Sequence, residues 1–141
     1  MSSVVRRRER IARVRRVEHV LASGAAAAAD AQLQTLEVSA ARVLELRLSL
    51  TTGVGSLTSQ TLAAQGELAH RLDLARFGLA DAIAGARATA ASKAAERVEA
   101  RIRQESAERL VERATKAADI LVERRVASAN HRPPRGWGGE A

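Results

Sequence analysis

No proline occurs between Met1 and Arg132, so nothing in that stretch obliges a helix to end. Alanine is the commonest residue, with 31 copies, and the overall composition favours long helices over strands. The chain has one Phe, one Trp and no Tyr, so few large side chains are present to fill a deep globular core. The sequence therefore predicts a single elongated all-α domain rather than a compact enzyme fold.

The best candidate for an interruption is the run Thr51–Ser56, because its two glycines and its β-branched residues are poor helix formers. Thr58 or Ser59 can then cap a second helix. We predict an antiparallel coiled-coil hairpin over residues 1–131, with helix one at about 4–51, the turn at about 52–58, helix two at about 59–130, and a disordered tail at 132–141. A turn near Gly66 or between Phe77 and Gly85 is an alternative, as is a parallel dimer of long helices.

Apolar residues recur at the three- and four-residue steps of a coiled-coil seam, with one shift of phase in each helix. The predicted seam of helix one is Val4, Ile11, Val14 and Leu21, followed one residue out of phase by Leu33, Leu36, Ala40, Val43 and Leu50, and the same spacing reaches Leu57. The predicted seam of helix two is Leu62, Ala69, Leu72, Leu79, Ile83, Ala86 and Ala90, then Val98, Ile102, Leu110, Ala114, Ala117 and Leu121. Since helix two is longer, residues 108–130 are expected to overhang and to offer a binding surface.

Positive charge is concentrated at the start of the chain. The formal net charge is +7, and the first sixteen residues carry seven arginines against Glu9 alone. The helix macrodipole disfavours cations at an N-terminus, so helix stability does not explain this cluster. An acidic protein surface, a nucleic-acid backbone or an anionic membrane would each complement it. A general preference for arginine over lysine in this chain is the alternative without a function.

No pattern of catalytic, cofactor-binding or metal-ligating residues is found. The chain lacks cysteine, its three histidines are scattered, and the glycines at 53 and 55 are not followed by the lysine of a phosphate-binding loop. No apolar stretch of about 18 residues is present to span a bilayer, and the N-terminus fits neither a secretory signal nor a transit peptide well. We expect a cytoplasmic protein that is not an enzyme, with no cofactor, no metal and no small-molecule substrate.

The segment Gly66–Ile83 places leucines and one alanine at i, i+4, i+7 and i+11, namely Leu68, Leu72, Ala75 and Leu79. Together with the basic first helix, the Gly-containing turn and the longer second helix, this layout resembles the flagellar export protein FliJ and the YscO-type stalk proteins of type III secretion. The resemblance covers most of the chain. The family has an aromatic first member and a polar last member in this set, and the present chain has neither.

The resemblance implies a non-enzymatic component of a flagellar or type III protein export apparatus, located in the cytoplasm or at the cytoplasmic face of the inner membrane. Its paired termini would enter a hexameric export ATPase ring, and Leu68, Leu72, Ala75 and Leu79 would contact an export-gate subunit. Export chaperones are further implied partners. The residues expected to meet the ring are Arg6, Arg7, Arg8, Arg13, Arg16, Leu110 and Leu121. The alternative function is nucleic-acid or anionic-surface binding by the arginine cluster, and a granule-coating helical protein is a third possibility.

Overall fold

The computed structural model describes residues 2–51 and 58–131. Helix α1 runs Ser3–Ser49 and helix α2 runs Ser59–Asn130, and the two pack against each other as an antiparallel hairpin. The predicted all-α coiled-coil hairpin is therefore confirmed. Most of the predicted turn and the whole of the predicted tail lie outside the described residues.

Hydroxyl side chains cap the start of each helix. The Val4 amide donates a hydrogen bond to Ser2 Oγ at 3.2 Å, and the Thr61 amide donates one to Thr58 Oγ1 at 3.3 Å. Each bond satisfies one of the backbone N–H groups that have no partner within a first helical turn. Thr58 is thus the cap of α2, as its position before the apolar pattern indicates.

The chain divides into two compact units. Unit 1 comprises residues up to His19 together with those from Glu99 onward, and unit 2 comprises Val20–Val98. We use "seam" for the positions of each helix that recur at alternating steps of three and four residues and are buried or half-buried against the other helix. In unit 1 the seam residues are Val5, Arg8, Ala12, Arg15 and His19 on α1 and Ala100, Gln104, Ala107, Val111, Ala114 and Ala118 on α2.

Unit 2 has larger side chains in its seam. Its α1 positions are Ala22, Ala26, Ala29, Leu33, Leu36, Ala40, Val43 and Arg47, and its α2 positions include Ala69, Leu72, Leu79, Ile83, Ala86, Ala90 and Lys93. The Arg47 Nε donates a hydrogen bond to Asp73 Oδ1 at 3.2 Å, and Arg87 Nη2 lies 3.3 Å from Glu37 Oε1. These two pairs flank the apolar contacts of unit 2 with opposite charges.

The first predicted shift of phase, in α1, is wrong. Along α1 the seam positions step by three and four from Val5 to Arg47 without a break, and the same spacing reaches Leu50 just after the helix ends. Val4, Ile11, Val14 and Leu21, the predicted first part of the seam, are 46–69% exposed. Each of them immediately precedes a seam position, so the prediction was one residue out. Within each unit, a helix that keeps one phase presents the same face to the other helix.

The second predicted shift is wrong for the same reason. Val98, Ile102, Leu110 and Leu121 are 44–57% exposed, and among the later residues of the predicted α2 seam only Ala114 is buried. Ala100 and Ala107 are buried instead. Alanine has no side chain beyond Cβ, so two helices can approach closely wherever it lies at their contact. The uninterrupted phase places these alanines inside and the larger apolar residues outside.

The predicted overhang begins later than expected. Arg16 Nη2 lies 3.0 Å from Glu108 Oε1, and Arg8 Nη1 donates to the Leu110 carbonyl oxygen at 3.0 Å. Residues 108–118 therefore pack beside the start of α1, and the expected overhang from Glu108 is wrong. The fully exposed run of α2 is residues 119–130.

Four glycines lie inside the helices of unit 2: Gly24, Gly66, Gly78 and Gly85. A Cβ atom built on any of them would meet no other atom within 4 Å. No close approach of another element therefore requires glycine at these positions. Unit 1 has no glycine among its described residues.

Candidate functional site

Nearly all of the net positive charge belongs to unit 1. Its described residues, 2–19 and 99–131, carry 14 basic and 8 acidic side chains, a net of +6. Unit 2 carries 7 basic and 7 acidic side chains and is neutral. A surface of one sign raises the local concentration of oppositely charged partners and the rate at which they associate. Unit 1 is therefore the candidate site.

The arginines of the cluster divide into two groups. Arg8, Arg15 and Arg16 are engaged within unit 1, with the Leu110 carbonyl, Glu18 at 2.8 Å and Glu108 at 3.0 Å respectively. The other group makes no ion pair with any carboxylate in residues 2–51 or 58–131. It consists of Arg6, Arg7, Arg10 and Arg13, and all four are exposed.

Glu108 is the acidic centre of the charged contact between the helices of unit 1. Gln104 Nε2 and Arg16 Nη2 each donate to its Oε1 atom at 3.0 Å. These two hydrogen bonds, with that from Gln104 the larger cause, hold the pKa of Glu108 below its usual 4.5. Hydrogen bonds to the ionised carboxylate stabilise that form. Arg16 is therefore occupied by a partner within the hairpin.

The two leucines expected to meet the ring both lie in unit 1 and are both exposed. Leu110 is 44% exposed and Leu121 is 54% exposed. Leu121 lines a shallow hollow together with Ser2, Ser3 and Val5, so the start of α1 lies near it. The structure therefore brings these leucines into the same unit as the arginine cluster.

The four residues expected to contact an export gate do not share one exposed face. Leu72 and Leu79 are half-buried in the seam of unit 2, whereas Leu68 and Ala75 are exposed. The spacing i, i+4, i+7, i+11 follows the heptad, so a set with this spacing includes the side chains that pack against the partner helix. Leu68 and Ala75 are the two members of the set that are exposed to another protein.

Two exposed apolar features were missed. The first is the set Val4, Ile11 and Val14, which was assigned to the seam and instead lies on the surface of unit 1. The second is Phe77, 71% exposed, beside Leu44 at the edge of a hollow of unit 2. The signal for the first was available: the alanines at 22, 26 and 29 already fix a phase that continues to Leu50.

Neither metal binding nor membrane spanning has structural support among the described residues. No group of three His, Asp or Glu side chains converges there as metal ligands would. Within residues 2–51 and 58–131, no helix has the length and the apolar content needed to cross a membrane.

Comparison with known proteins identifies no family model, no curated protein and no solved structure that matches this chain. Its function must therefore be argued from the residues themselves.

Proposed function

We propose that this chain is a non-enzymatic coiled-coil component of a flagellar or type III protein export apparatus, a stalk or escort protein that engages a hexameric export ATPase through unit 1. The proposal rests on the resemblance described above and on one observation of the structure. Four exposed arginines of the N-terminal cluster, Arg6, Arg7, Arg10 and Arg13, have no carboxylate partner in the described chain, and unit 1 carries a net charge of +6. Such a surface favours acidic loops of a protein ring.

The export gate is the second partner under this proposal. Leu68 and Ala75 are the accessible members of the set that the resemblance assigns to it, and Leu68 is 47% exposed. The protein would then act in the cytoplasm, at the inner membrane where the gate lies, and export chaperones would be further partners. Leu72 and Leu79 would contribute indirectly, by holding α2 against α1.

The decisive experiment measures binding and ATPase stimulation with the purified export ATPase encoded in the same genome. The variant Arg6→Glu/Arg13→Glu reverses two free cations of unit 1. Its matched control, Arg42→Glu/Arg97→Glu, reverses two arginines of unit 2 that likewise form no ion pair among the described residues. We expect the first variant to weaken binding by about tenfold or more and the control to change it by less than about twofold.

Two results would overturn this function. One is the absence of binding between the unmodified chain and the ATPase at low salt. The other is an equal effect of the two double variants, since the arginines of unit 1 would then have no special role. Circular dichroism of each variant verifies that helix content is retained.

A second candidate function is favoured by the same unpaired arginines, which suit phosphate groups as well as carboxylates. In this alternative the chain binds nucleic acid or an anionic surface. Binding to a DNA duplex would then fall steeply with salt, with a logarithmic slope of about −0.9 for each phosphate neutralised. A steep slope that Arg6→Glu/Arg13→Glu reduces by about two would favour nucleic acid over the ATPase.

A further inference from the structure

The two sides of unit 1 beside the seam differ in how many large apolar residues they expose. Arg16 and Glu108 each follow a seam position directly, and their ion pair of 3.0 Å shows that such positions lie on the same side of the two helices. In an antiparallel pair, the residues that directly precede seam positions then share the opposite side. Ile11 and Leu110 are two such residues. The hydrogen bond from Arg8 Nη1 to the Leu110 carbonyl joins the helices at this place.

Exposed apolar residues form a row along each helix on this opposite side. The rows consist of Val4, Ile11 and Val14 on α1 and Leu110 and Ile120 on α2, which are 44–56% exposed. At about 1.5 Å per residue the rows are about 15 Å long, or roughly three helical turns. Single exposed leucines are ordinary, but two rows on one side of a helix pair form a groove with apolar walls. We call this feature the apolar groove.

Both rows contain an arginine at the same helical spacing. Arg7 lies three residues after Val4, and Arg113 lies three residues after Leu110. Both arginines are exposed, and neither forms an ion pair with a carboxylate in the described ranges. The apolar groove therefore carries free positive charge within its own rows, in a unit whose net charge is +6.

The positive charge of these two arginines determines which kind of partner can bind in the apolar groove. A second copy of unit 1 would bring another surface of the same sign against these arginines, which is unfavourable. The groove between two helices has the shape that a third helix fills in a three-helix bundle, with its apolar stripe between the two rows. Acidic residues beside that stripe would then pair with Arg7 and Arg113.

We propose that the apolar groove of unit 1 binds one amphipathic helix of a protein partner, with an apolar stripe flanked by Asp or Glu. The inference rests on the protein-binding role proposed for unit 1, but it does not require the partner to be an export ATPase. It also separates two surfaces, since Arg16 and Glu108 lie on the other side of the unit.

The test uses a fluorescent helical peptide of about three heptads with leucine at its a and d positions and glutamate beside them. A second peptide has lysine in place of each glutamate. The variant is Ile11→Ser/Leu110→Ser in the full chain. The matched control is Val17→Ser/Ile102→Ser, which alters residues that are 58% and 57% exposed and, by helical spacing, lie on the outer sides of α1 and α2 in unit 1.

Fluorescence anisotropy should show the glutamate peptide binding at least about tenfold more tightly than the lysine peptide. Ile11→Ser/Leu110→Ser should weaken that binding by about tenfold, and the control should change it by less than about twofold. The inference is overturned if the glutamate peptide does not bind, or if the two double variants bind it equally. Because all four substituted residues are exposed, both variants are expected to keep their helix content.

Two further probes identify a different occupant. Vesicles of phosphatidylcholine and phosphatidylserine, or a DNA duplex, would replace the proposed helix if either bound more tightly than the glutamate peptide and lost that binding in Ile11→Ser/Leu110→Ser. If the peptide binds as expected while the export ATPase does not, the function proposed above fails and this inference stands. If the ATPase binds but Ile11→Ser/Leu110→Ser does not weaken binding of the glutamate peptide, the proposed function stands and this inference fails.

Discussion

Unit 1 and unit 2 use the same heptad pattern with side chains of different size. The buried residues of unit 1 are Val5 and four alanines, whereas the seam of unit 2 also holds half-buried leucines, valine and isoleucine. Alanine at the contact permits close approach and nearly complete burial, but it removes little apolar area from water. Most of the larger apolar residues of unit 1 are exposed, where another protein can reach them. Unit 2 also exposes large apolar residues, Leu74 and Phe77 among them, but it places several leucines, Val43 and Ile83 half-buried between its own helices.

The largest expected effect comes from placing a large side chain in the alanine seam of unit 1. Ala107 is 7% exposed, so Ala107→Leu should lower the free energy of unfolding by about 1–3 kcal/mol through overpacking. Ala86→Leu, at a half-buried seam position of unit 2, should cost less than about 1 kcal/mol. Urea denaturation followed by circular dichroism measures both. Equal costs would show that the two seams are equally tight.

A smaller effect is expected from shortening a side chain in the seam of unit 2. Leu79 is half-buried, so Leu79→Ala should cost about 1–2 kcal/mol, less than a fully buried leucine. Leu74 is 57% exposed, and Leu74→Ala should change the stability by no more than about 0.5 kcal/mol. The same urea titrations compare them. A cost for Leu74→Ala as large as that for Leu79→Ala would contradict the assignment of the seam.

The smallest effect concerns how the stability of unit 1 changes as the pH falls. Because the pKa of Glu108 is lowered in the folded state, its stabilising contribution is present above the ordinary value of 4.5 and is lost as the pH falls through the folded pKa. Gln104→Leu and Arg16→Met should each raise the pKa of Glu108, because Gln104 supplies the largest single cause and Arg16 contributes both a hydrogen bond and its charge. Carbon-13 NMR titration of the glutamate carboxyl groups measures both shifts. An unchanged pKa of Glu108 in Arg16→Met would contradict the ion pair between the two helices.

The fold was predictable from sequence because no proline interrupts the first 132 residues and because one glycine-containing run separates two periodic segments. The sequence predicts helices at about 4–51 and about 59–130, and the observed helices run Ser3–Ser49 and Ser59–Asn130. Helix propensity and capping act locally, so they are visible in a short window of sequence. The pairing register is not local, and the overhang was misplaced for that reason.

The candidate site was predictable in its charge but not in its apolar part. Counting arginines locates the positive end of the chain without any structure. Assigning the face of a helix requires knowing which residues meet the partner helix, and choosing the larger residues, Ile11 over Ala12 and Leu21 over Ala22, gave the wrong phase. The phase carried by the alanines continues through α1, and a helix cannot turn its face without breaking that continuity. The division of the arginines into engaged and free groups also depends on the positions of Glu108 and Leu110 across the pair.

The glycines inside α1 and α2 have a consequence for motion. Each costs a helix interior about 1 kcal/mol relative to alanine, and the open space around Gly66 and Gly78 means that no packing requirement compensates for that cost. Backbone amides next to these glycines should therefore exchange with solvent through local opening more readily than amides of unit 2 farther along the helices. The described residues of unit 1, which present the charged site, contain no such glycine.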